Sequence, residues 1–593
     1  MDCLKYPIDG GYILKKKKQI KKELLAQSDG FLKKKVAILG GSTTSNVRLA
    51  MELFLLDQKI LPEFYESEYN QFYEDAMFEN PKLEAFAPDI IYIHTSNRNI
   101  AAYPLMSDSA EAIGLMLENE IQKYKGIWDR LAQVYHCPVI QNNFEYPGYR
   151  LLGNKEASDI HGKIHYINRL NLAFYEYAQT HESFYINDIN YLSACYGLDR
   201  WLDSFSWHMY KYCCAVEAIP ELAFNVVRIM KSVFGRNKKG LVLDLDNTLW
   251  GGVVGDDGAD NLNIGQETSM GQAYSEFQSY IKEQKQLGVI LNVNSKNAME
   301  NALAGIRHPE GILKEDDFIV IKANWEPKHQ NFLEIAKELD LLPESLVFVD
   351  DNPAERAIVS EQLPDVEAPC IGEVENYIRV LDRMGYFEAT TISEDDQKRS
   401  SMYQENVARR RQQAKYATYG EYLQSLEMKA VVKPFEAVYL ARIAQLTNKS
   451  NQFNLTTRRY TQGEIEQVSK DPQYLTLYGK LADKFGDNGV VSVVIGRIED
   501  RELYLDLWIM SCRVLKRDME YAMMDVLAEK CQKAGIRVLH GFYYPTAKNS
   551  MVKDFYKLQG FEKVSENEQG DCEWRLDITD SYQRKNTVIK VET

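Results

Sequence analysis

Asp244 and Asp246 close an apolar run, Leu241-Val-Leu-Asp-Leu-Asp-Asn-Thr-Leu-Trp250. Where a strand ends and the chain turns, one carboxylate of such a pair can face a phosphorus and the other its leaving oxygen. Alone, the pair equally describes a strand running into an acidic turn. Three later segments carry groups suited to the same chemistry. Val289-Ile-Leu-Asn-Val-Asn-Ser295 ends in a hydroxyl able to hydrogen-bond a phosphoryl oxygen. Trp325-Glu-Pro-Lys328 sets an ammonium where Pro327 predicts the first turn of a helix. Lys322 competes for that role, but Lys328 lies nearer Ser345-Leu-Val-Phe-Val-Asp-Asp351, whose Asp350 and Asp351 make a hard-oxygen site suited to Mg2+.

The elements that must position these groups are short buried strands alternating with helices. They predict a parallel sheet covered on both faces, with chemistry at the carboxyl ends of its strands. Between Asp246 and Ser295 the chain holds a Gly-rich flap, Gly251-Gly-Val-Val-Gly-Asp-Asp-Gly258, and one helix; between Ser295 and Lys328 there is no room for a lid domain. The site is therefore expected to be capless, with water excluded by a neighbouring domain or a bulky partner.

Together these segments resemble the haloacid dehalogenase superfamily of phosphatases and phosphotransferases. The resemblance implies Asp244 as nucleophile, Asp246 as acid and then base, and Ser295 and Lys328 as phosphate-binding groups. It also implies Mg2+ held by Asp244, the main-chain carbonyl of Asp246 and Asp350, with Asp351 orienting the metal shell. Residues 241–258, with Asn324-Trp-Glu-Pro-Lys-His329 and Phe348-Val-Asp-Asp-Asn-Pro-Ala-Glu-Arg356, narrow the match. They look like the FkbH-like family, the IIIC branch of the superfamily. That resemblance implies an enzyme that takes a glyceryl group from 1,3-bisphosphoglycerate, removes phosphate, and loads the glyceryl unit as a thioester onto an acyl carrier protein.

Upstream, residues 1–30 read as a lysine-rich leader helix with Ile13, Leu14, Ile20, Leu24 and Leu25 packed beneath it. Lys35-Val-Ala-Ile-Leu-Gly-Gly-Ser-Thr-Thr-Ser-Asn46 then gives a buried strand, a turn, and hydroxyls opening a helix, where backbone N–H groups can stabilise an oxyanion. Residues 31–235 resemble an SGNH hydrolase-like domain. That resemblance puts Ser42 at the nucleophile position, Asn97 as an oxyanion donor, and Asp203 and His208 near the acid and base. The alternative is a degenerate domain used for packing or partner binding.

Residues 236–372 hold the phosphoryl-transfer motifs, and residues 373–428 read as a helical connector whose charge runs at 394–399 and 409–411 form a solvated face. Residues 429–593 mix strands and helices and resemble the GNAT acyltransferase fold. In that fold an Arg/Gln-x-x-Gly-x-Gly/Ala loop brings bare backbone N–H groups to the pyrophosphate of coenzyme A. Here the loop is Cys512-Arg-Val-Leu-Lys-Arg-Asp518, with Lys516 and Asp518 at the glycine positions. Ordinary acetyl-CoA binding is disfavoured, whereas Arg513, Lys516 and Arg517 remain candidates to meet the phosphate of a phosphopantetheine arm. Cys512 is the candidate acyl-carrying thiol, against the alternative of a buried cysteine at a strand end.

Composition sets the outer bounds. A chain of 593 residues with 45% hydrophobic and 26% charged residues is a multidomain folded protein. Its net charge of -16 disfavours nucleic acid or an anionic membrane as a partner. Nine cysteines without paired metal-type spacing fit a reduced, cytoplasmic setting, with adjacent Cys213 and Cys214 read as small buried apolar residues. No signal peptide and no membrane-length apolar run is found. The expectation is a three-domain α/β enzyme: an SGNH-like three-layer α/β domain, a capless doubly wound parallel sheet, and a GNAT-like α+β domain. Its substrate is a phosphorylated small molecule, its cofactor Mg2+ and its partner an acyl carrier protein. The alternatives are a simple phosphatase on a small metabolite or sugar phosphate, and a noncatalytic assembly protein.

Overall fold

The structure is a computed structural model that describes every residue except 393–397, 414, 450, 451, 547 and 579–581, and only the backbone of Arg411 and Lys449. Most of the 394–399 charge run therefore lies outside the described residues. The chain divides into two compact units, Met1–Arg236 and Asn237–Thr593.

In the first unit, β1 (Leu32–Gly40), β2 (Ile60–Glu66), β3 (Ile90–His94), β4 (Val139–Asn142) and β5 (Phe184–Asn187) form a parallel sheet in the order β2-β1-β3-β4-β5. The period-two alternation of a strand is visible in its packing. Val36, Ile38 and Tyr92 enter one core, while Ala37, Leu39, Ile91 and Ile93 enter the other, so helices cover both faces. The helix Gly10–Leu25, capped by the Asp9 side chain, buries Ile13, Ile20 and Leu24, whereas Leu25 is exposed. The chain reverses winding direction between β1 and β3, the point at which open α/β sheets characteristically place their sites beyond the strand ends.

The second unit contains two sheets. β6 (Gly240–Leu243), β7 (Ile290–Ser295), β8 (Phe318–Ala323) and β9 (Leu346–Val349) are parallel in the order β8-β7-β6-β9. The winding reverses between β6 and β9, which puts the ends of those two strands side by side. The flap that follows β6 folds into the short helices Val254–Asp257 and Ala259–Asn261, and no separate cap domain is present among the described residues.

The other sheet is mostly antiparallel and is built from β10 (Lys429–Lys433), β11 (Phe453–Asn454), β12 (Tyr474–Asp483), β13 (Gly486–Glu499), β14 (Glu502–Met510), β15 (Val538–Tyr543), β16 (Glu562–Glu566), β17 (Cys572–Asp577) and β18 (Lys590–Glu592). Its β14 and β15 run parallel, joined through the helix Met519–Lys533. This is the α+β architecture expected of residues 429–593.

The connector departs from the expected solvated face at one residue. Arg409 is 1% exposed and forms a bidentate pair with Asp483 at 2.7 and 2.8 Å, and Arg517 joins the same carboxylate at 3.1 Å. A guanidinium fork satisfied by a buried carboxylate replaces the solvation that the charge run suggested. Among the described residues no helix is long and apolar enough to cross a membrane.

Candidate active site

Three strands of the four-stranded sheet, β6, β7 and β9, run into a functional side chain, and the helix that follows β8 supplies the fourth. Asp244 follows β6 directly and is 7% exposed, and Asp350 follows β9 and is fully buried. Lys328 opens the helix Lys328–Glu338 behind Pro327, and its Nζ lies 3.0 Å from Asp244 Oδ2 and 2.5 Å from Asp350 Oδ2. Lys322 instead pairs with Glu334 and Glu338 on that helix. The structure therefore brings Lys328, not Lys322, against the carboxylates.

Charge and burial oppose each other in this cluster. Burial pushes the Asp244 carboxyl up to about 6; Lys328 counters that shift and Asp350 reinforces it. Burial also raises Asp350 and Asp351. Desolvation alone would lower Lys328, but the two carboxylates overcome it and hold the ammonium above its usual value. One carboxylate oxygen remains free: Asp244 Oδ1 is buried without a hydrogen-bond partner.

Asp350 Oδ1 accepts from the Asn352 N–H at 2.8 Å, and Arg356 Nη1 donates to the carbonyls of Asp350 and Asp351 at 2.6 Å. Thr248 Oγ1 lies 3.2 Å from Asp351 Oδ1 and accepts from the Asp351 N–H. Asp244, Asp350 and Asp351 each offer an oxygen within 4.8 Å of the others. Three carboxylates around one unpartnered buried oxygen are a donor set that fits a hard divalent cation.

Asp246 is held apart from the ammonium. Its Oδ1 accepts from Trp250 Nε1 at 2.9 Å and from the Val254 N–H at 3.0 Å, and its Oδ2 accepts from Asn297 Nδ2 at 2.8 Å. The flap thus aims this carboxylate, and its own shape is fixed by Asn247, whose φ is +54°. Asn247 accepts through its side chain from the Gly252 N–H, and its carbonyl accepts from the Tyr377 hydroxyl at 2.9 Å. Asn297, 3.2 Å from Ser295 Oγ, is absent from the sequence expectations. Its position two residues beyond the strand-ending serine was the available signal.

The outer regions depart further from expectation. Ser42 follows β1 and is 2% exposed, but Asp203 and His208 do not join it. Asp203 caps the helix Ser204–Tyr210, accepting from the Phe205 N–H at 2.9 Å and the Ser206 hydroxyl at 2.5 Å, and His208 is exposed on that helix. The Asp-x-x-Ser spacing serves as a helix N-cap, which explains the failure of the triad. Asn97 uses its amide on the Glu145 carbonyl at 3.2 Å.

In the loop after β14, Lys516 and Asp518 adopt φ of +63° and +60°, the left-handed region that favours glycine. Glu520 on the next helix is pushed up to about 7 by burial. Arg517 is engaged by Asp483, by Asn406 and by the Arg513 carbonyl, while Arg513 contacts Ser511 Oγ and Met402 Sδ. Among the three proposed arm-binding cations only Lys516 is exposed. Cys512 begins the short helix Cys512–Val514, half-buried, with Lys239 and Tyr403 among its charged and polar neighbours.

Residues 35–231 match the family described as FkbH, N-terminal domain. The crystal structure of the N-terminal part of the protein BF1531 from Bacteroides fragilis, containing a phosphatase domain complexed with Mg, is similar at 29% identity and a TM-score of 0.59. It covers 63% of this chain and 99% of that one. The ribosomal-protein-S18-alanine N-acetyltransferase from Escherichia coli aligns at 13% identity and a TM-score of 0.21, over 27% of this chain and 99% of its own. A GNAT-family acetyltransferase from Streptococcus pneumoniae aligns at 14% and 0.22, over 26% and 100%. No curated protein matches the chain.

Proposed function

We propose that this chain, which carries the FkbH N-terminal domain and a phosphatase-type domain, is an Mg2+-dependent phosphoryl-transfer enzyme. It removes phosphate from a phosphorylated three-carbon acyl donor, 1,3-bisphosphoglycerate, and loads the glyceryl unit onto an acyl carrier protein. The observation that carries the phosphoryl step is the Asp244 carboxylate, with one oxygen on the Lys328 ammonium and the other buried and unpartnered. That free oxygen attacks phosphorus to give an aspartyl phosphate. Asp246, aimed by Trp250, Val254 and Asn297, protonates the leaving oxygen and later takes a proton from the attacking water. Ser295 and Lys328 hold the phosphoryl oxygens. Asp244, Asp350 and the Asp246 carbonyl would hold Mg2+, with Asp351 orienting its shell, and the bound ion would screen the charge between carboxylate and phosphate.

The test combines the full chain, Mg2+, 1,3-bisphosphoglycerate and a phosphopantetheinylated carrier protein, with both proteins weighed by mass spectrometry. A glyceryl adduct on the carrier is expected; phosphate release with no adduct on any thiol overturns the loading step. The second reading is a plain phosphatase acting on a small phosphate ester. It is favoured by the engagement of Arg513 and Arg517 within their own chain, which leaves few cations for a carrier arm.

A further inference from the structure

In the first unit, a thiol and an imidazole meet at the strand ends where the sheet reverses its winding. Cys213 Sγ lies 3.4 Å from His94 Nε2, across 119 residues of sequence. His94 ends β3 and is fully buried, and Ser42 follows the neighbouring β1. The segment bearing Cys213 is fastened onto that strand end. Thr43 donates through its N–H to the Lys211 carbonyl at 3.0 Å and through its hydroxyl to the Tyr210 carbonyl at 2.7 Å, and Asn46 Nδ2 donates to the Tyr212 hydroxyl at 2.9 Å.

A buried hydrogen-bond chain backs the imidazole. Asn142 Nδ2 donates to the Thr95 carbonyl at 2.9 Å, which fixes the amide with Oδ1 toward the Tyr92 hydroxyl at 3.0 Å. Asn187 Nδ2, itself fixed through Asn225, donates to the same Oδ1 at 2.7 Å. The single Tyr92 proton is thus directed to Asn142, which leaves its oxygen, 2.8 Å from His94 Nδ1, free to accept from Nδ1–H, while Asn142 Nδ2 lies 3.4 Å from the same nitrogen. In the tautomer with its proton on Nδ1, the lone pair of Nε2 faces the sulfur, as a general base requires.

Two further groups surround the thiol. Ser42 Oγ is buried and has no hydrogen-bond partner. Glu145, 1% exposed, is pushed up to about 8 by burial, with Cys213 adding to the shift. Hydrogen bonding from the adjacent Cys214 thiol and the nearby imidazole pull Cys213 well below the ordinary thiol range, despite burial. Ser42 stands at the nucleophile position of the expected hydrolase site, yet the sulfur holds the base.

We propose that Cys213, with His94 as its base, is the nucleophile of a second catalytic centre that accepts an acyl group from an acyl phosphate. The inference rests on the loading reaction proposed above and gives Cys213 the acyl-carrying role assigned from sequence to Cys512. Sulfur attacks the carbonyl carbon, the S–C bond forms, and the C–O bond to phosphate breaks with its electron pair leaving on phosphate. His94 Nε2 takes the thiol proton and returns it to the departing phosphate oxygen. A second thiol attacking the thioester then releases the acyl group and regenerates Cys213. Tyr92 and Asn142 are positioning residues that act through the imidazole.

The test uses the full chain bearing Asp244→Asn, which removes hydrolysis at the other centre, with acetyl phosphate as the probe. Peptide mapping is expected to find a hydroxylamine-labile acetyl group on Cys213, formed roughly a hundredfold more slowly in His94→Gln. Iodoacetamide should modify Cys213 at a lower pH than it modifies the ordinary thiols; Tyr92→Phe should shift that pH profile upward. An acetyl group on another cysteine, its absence from every thiol, or alkylation of Cys213 only as pH approaches the ordinary thiol range of about 8.5 overturns the proposal. Phosphate release by the chain with Asp244 intact is scored separately, so failure of the phosphatase reading and failure of this one are distinguishable.

Discussion

At the scale of single residues, the phosphoryl site depends on one cation shared by two buried carboxylates. Asp244→Asn keeps the shape and one Lys328 contact but removes the nucleophile. It should lower phosphate release by at least about a thousandfold while leaving the circular dichroism spectrum unchanged. A second residue makes a prediction about pH. Burial raises the Glu145 carboxyl from its ordinary 4.5 to about 8. The folded state therefore holds more protons than the unfolded state between those values. Stability from this group is fully present below pH 4.5, falls as pH rises toward 8, and is flat beyond. Glu145→Gln should flatten that decline, so its melting temperature should exceed that of the native chain at pH 8 and approach it at pH 4.5.

At the scale of elements, the flap and the connector each rest on one crowded contact. A Cβ added to Gly305, on the helix Met299–Ile306, would lie 2.7 Å from the Trp250 indole. Because Trp250 Nε1 aims Asp246, Gly305→Ala should reduce kcat by about tenfold to a hundredfold with little change in KM. The connector helix Arg399–Gln413 is tied to β12 through the Arg409 pair with Asp483, which Arg517 joins from the loop after β14. Asp483→Ala leaves two buried guanidinium groups without their carboxylate and should destabilise the second unit by about 3–5 kcal/mol in denaturant titration. The elements that carry Asp244, Ser295, Lys328 and Asp350 were legible in the sequence because the carboxylates and the serine terminate short apolar runs and Pro327 marks the helix that Lys328 opens. Asn297 and the fixed flap were less so, since their role depends on how the chain folds back on Asp246. The least legible pair was Cys213 with His94, joined only by the three-dimensional return of the 210–213 segment. Conversely, Asp203 and His208 fell near the acid and base of a hydrolase but departed from its usual spacing, and locally the aspartate had a simpler use as a helix cap.

At the scale of the whole molecule, the chain combines two parallel sheets, each with polar groups gathered where its winding reverses, and a third, mostly antiparallel sheet. That placement follows from topology: strands diverging from a switch point leave a crevice at their carboxyl ends that neither helical layer fills. In the third sheet, the loop after β14 holds Lys516 and Asp518 in the left-handed region that favours glycine, so side chains stand where bare backbone is expected of a coenzyme A loop. Acetyl-coenzyme A is therefore expected to leave the melting temperature unchanged in thermal-shift measurements. The central claim is phosphoryl transfer at Asp244 assisted by Mg2+, and its most direct test is phosphate release from 1,3-bisphosphoglycerate, above the nonenzymatic rate, by the native and Asp244→Asn chains, with Mg2+ and after its removal by EDTA. Release confined to the native chain with Mg2+, lost in EDTA and restored by adding the metal back, is the predicted result; release that persists in Asp244→Asn contradicts the account.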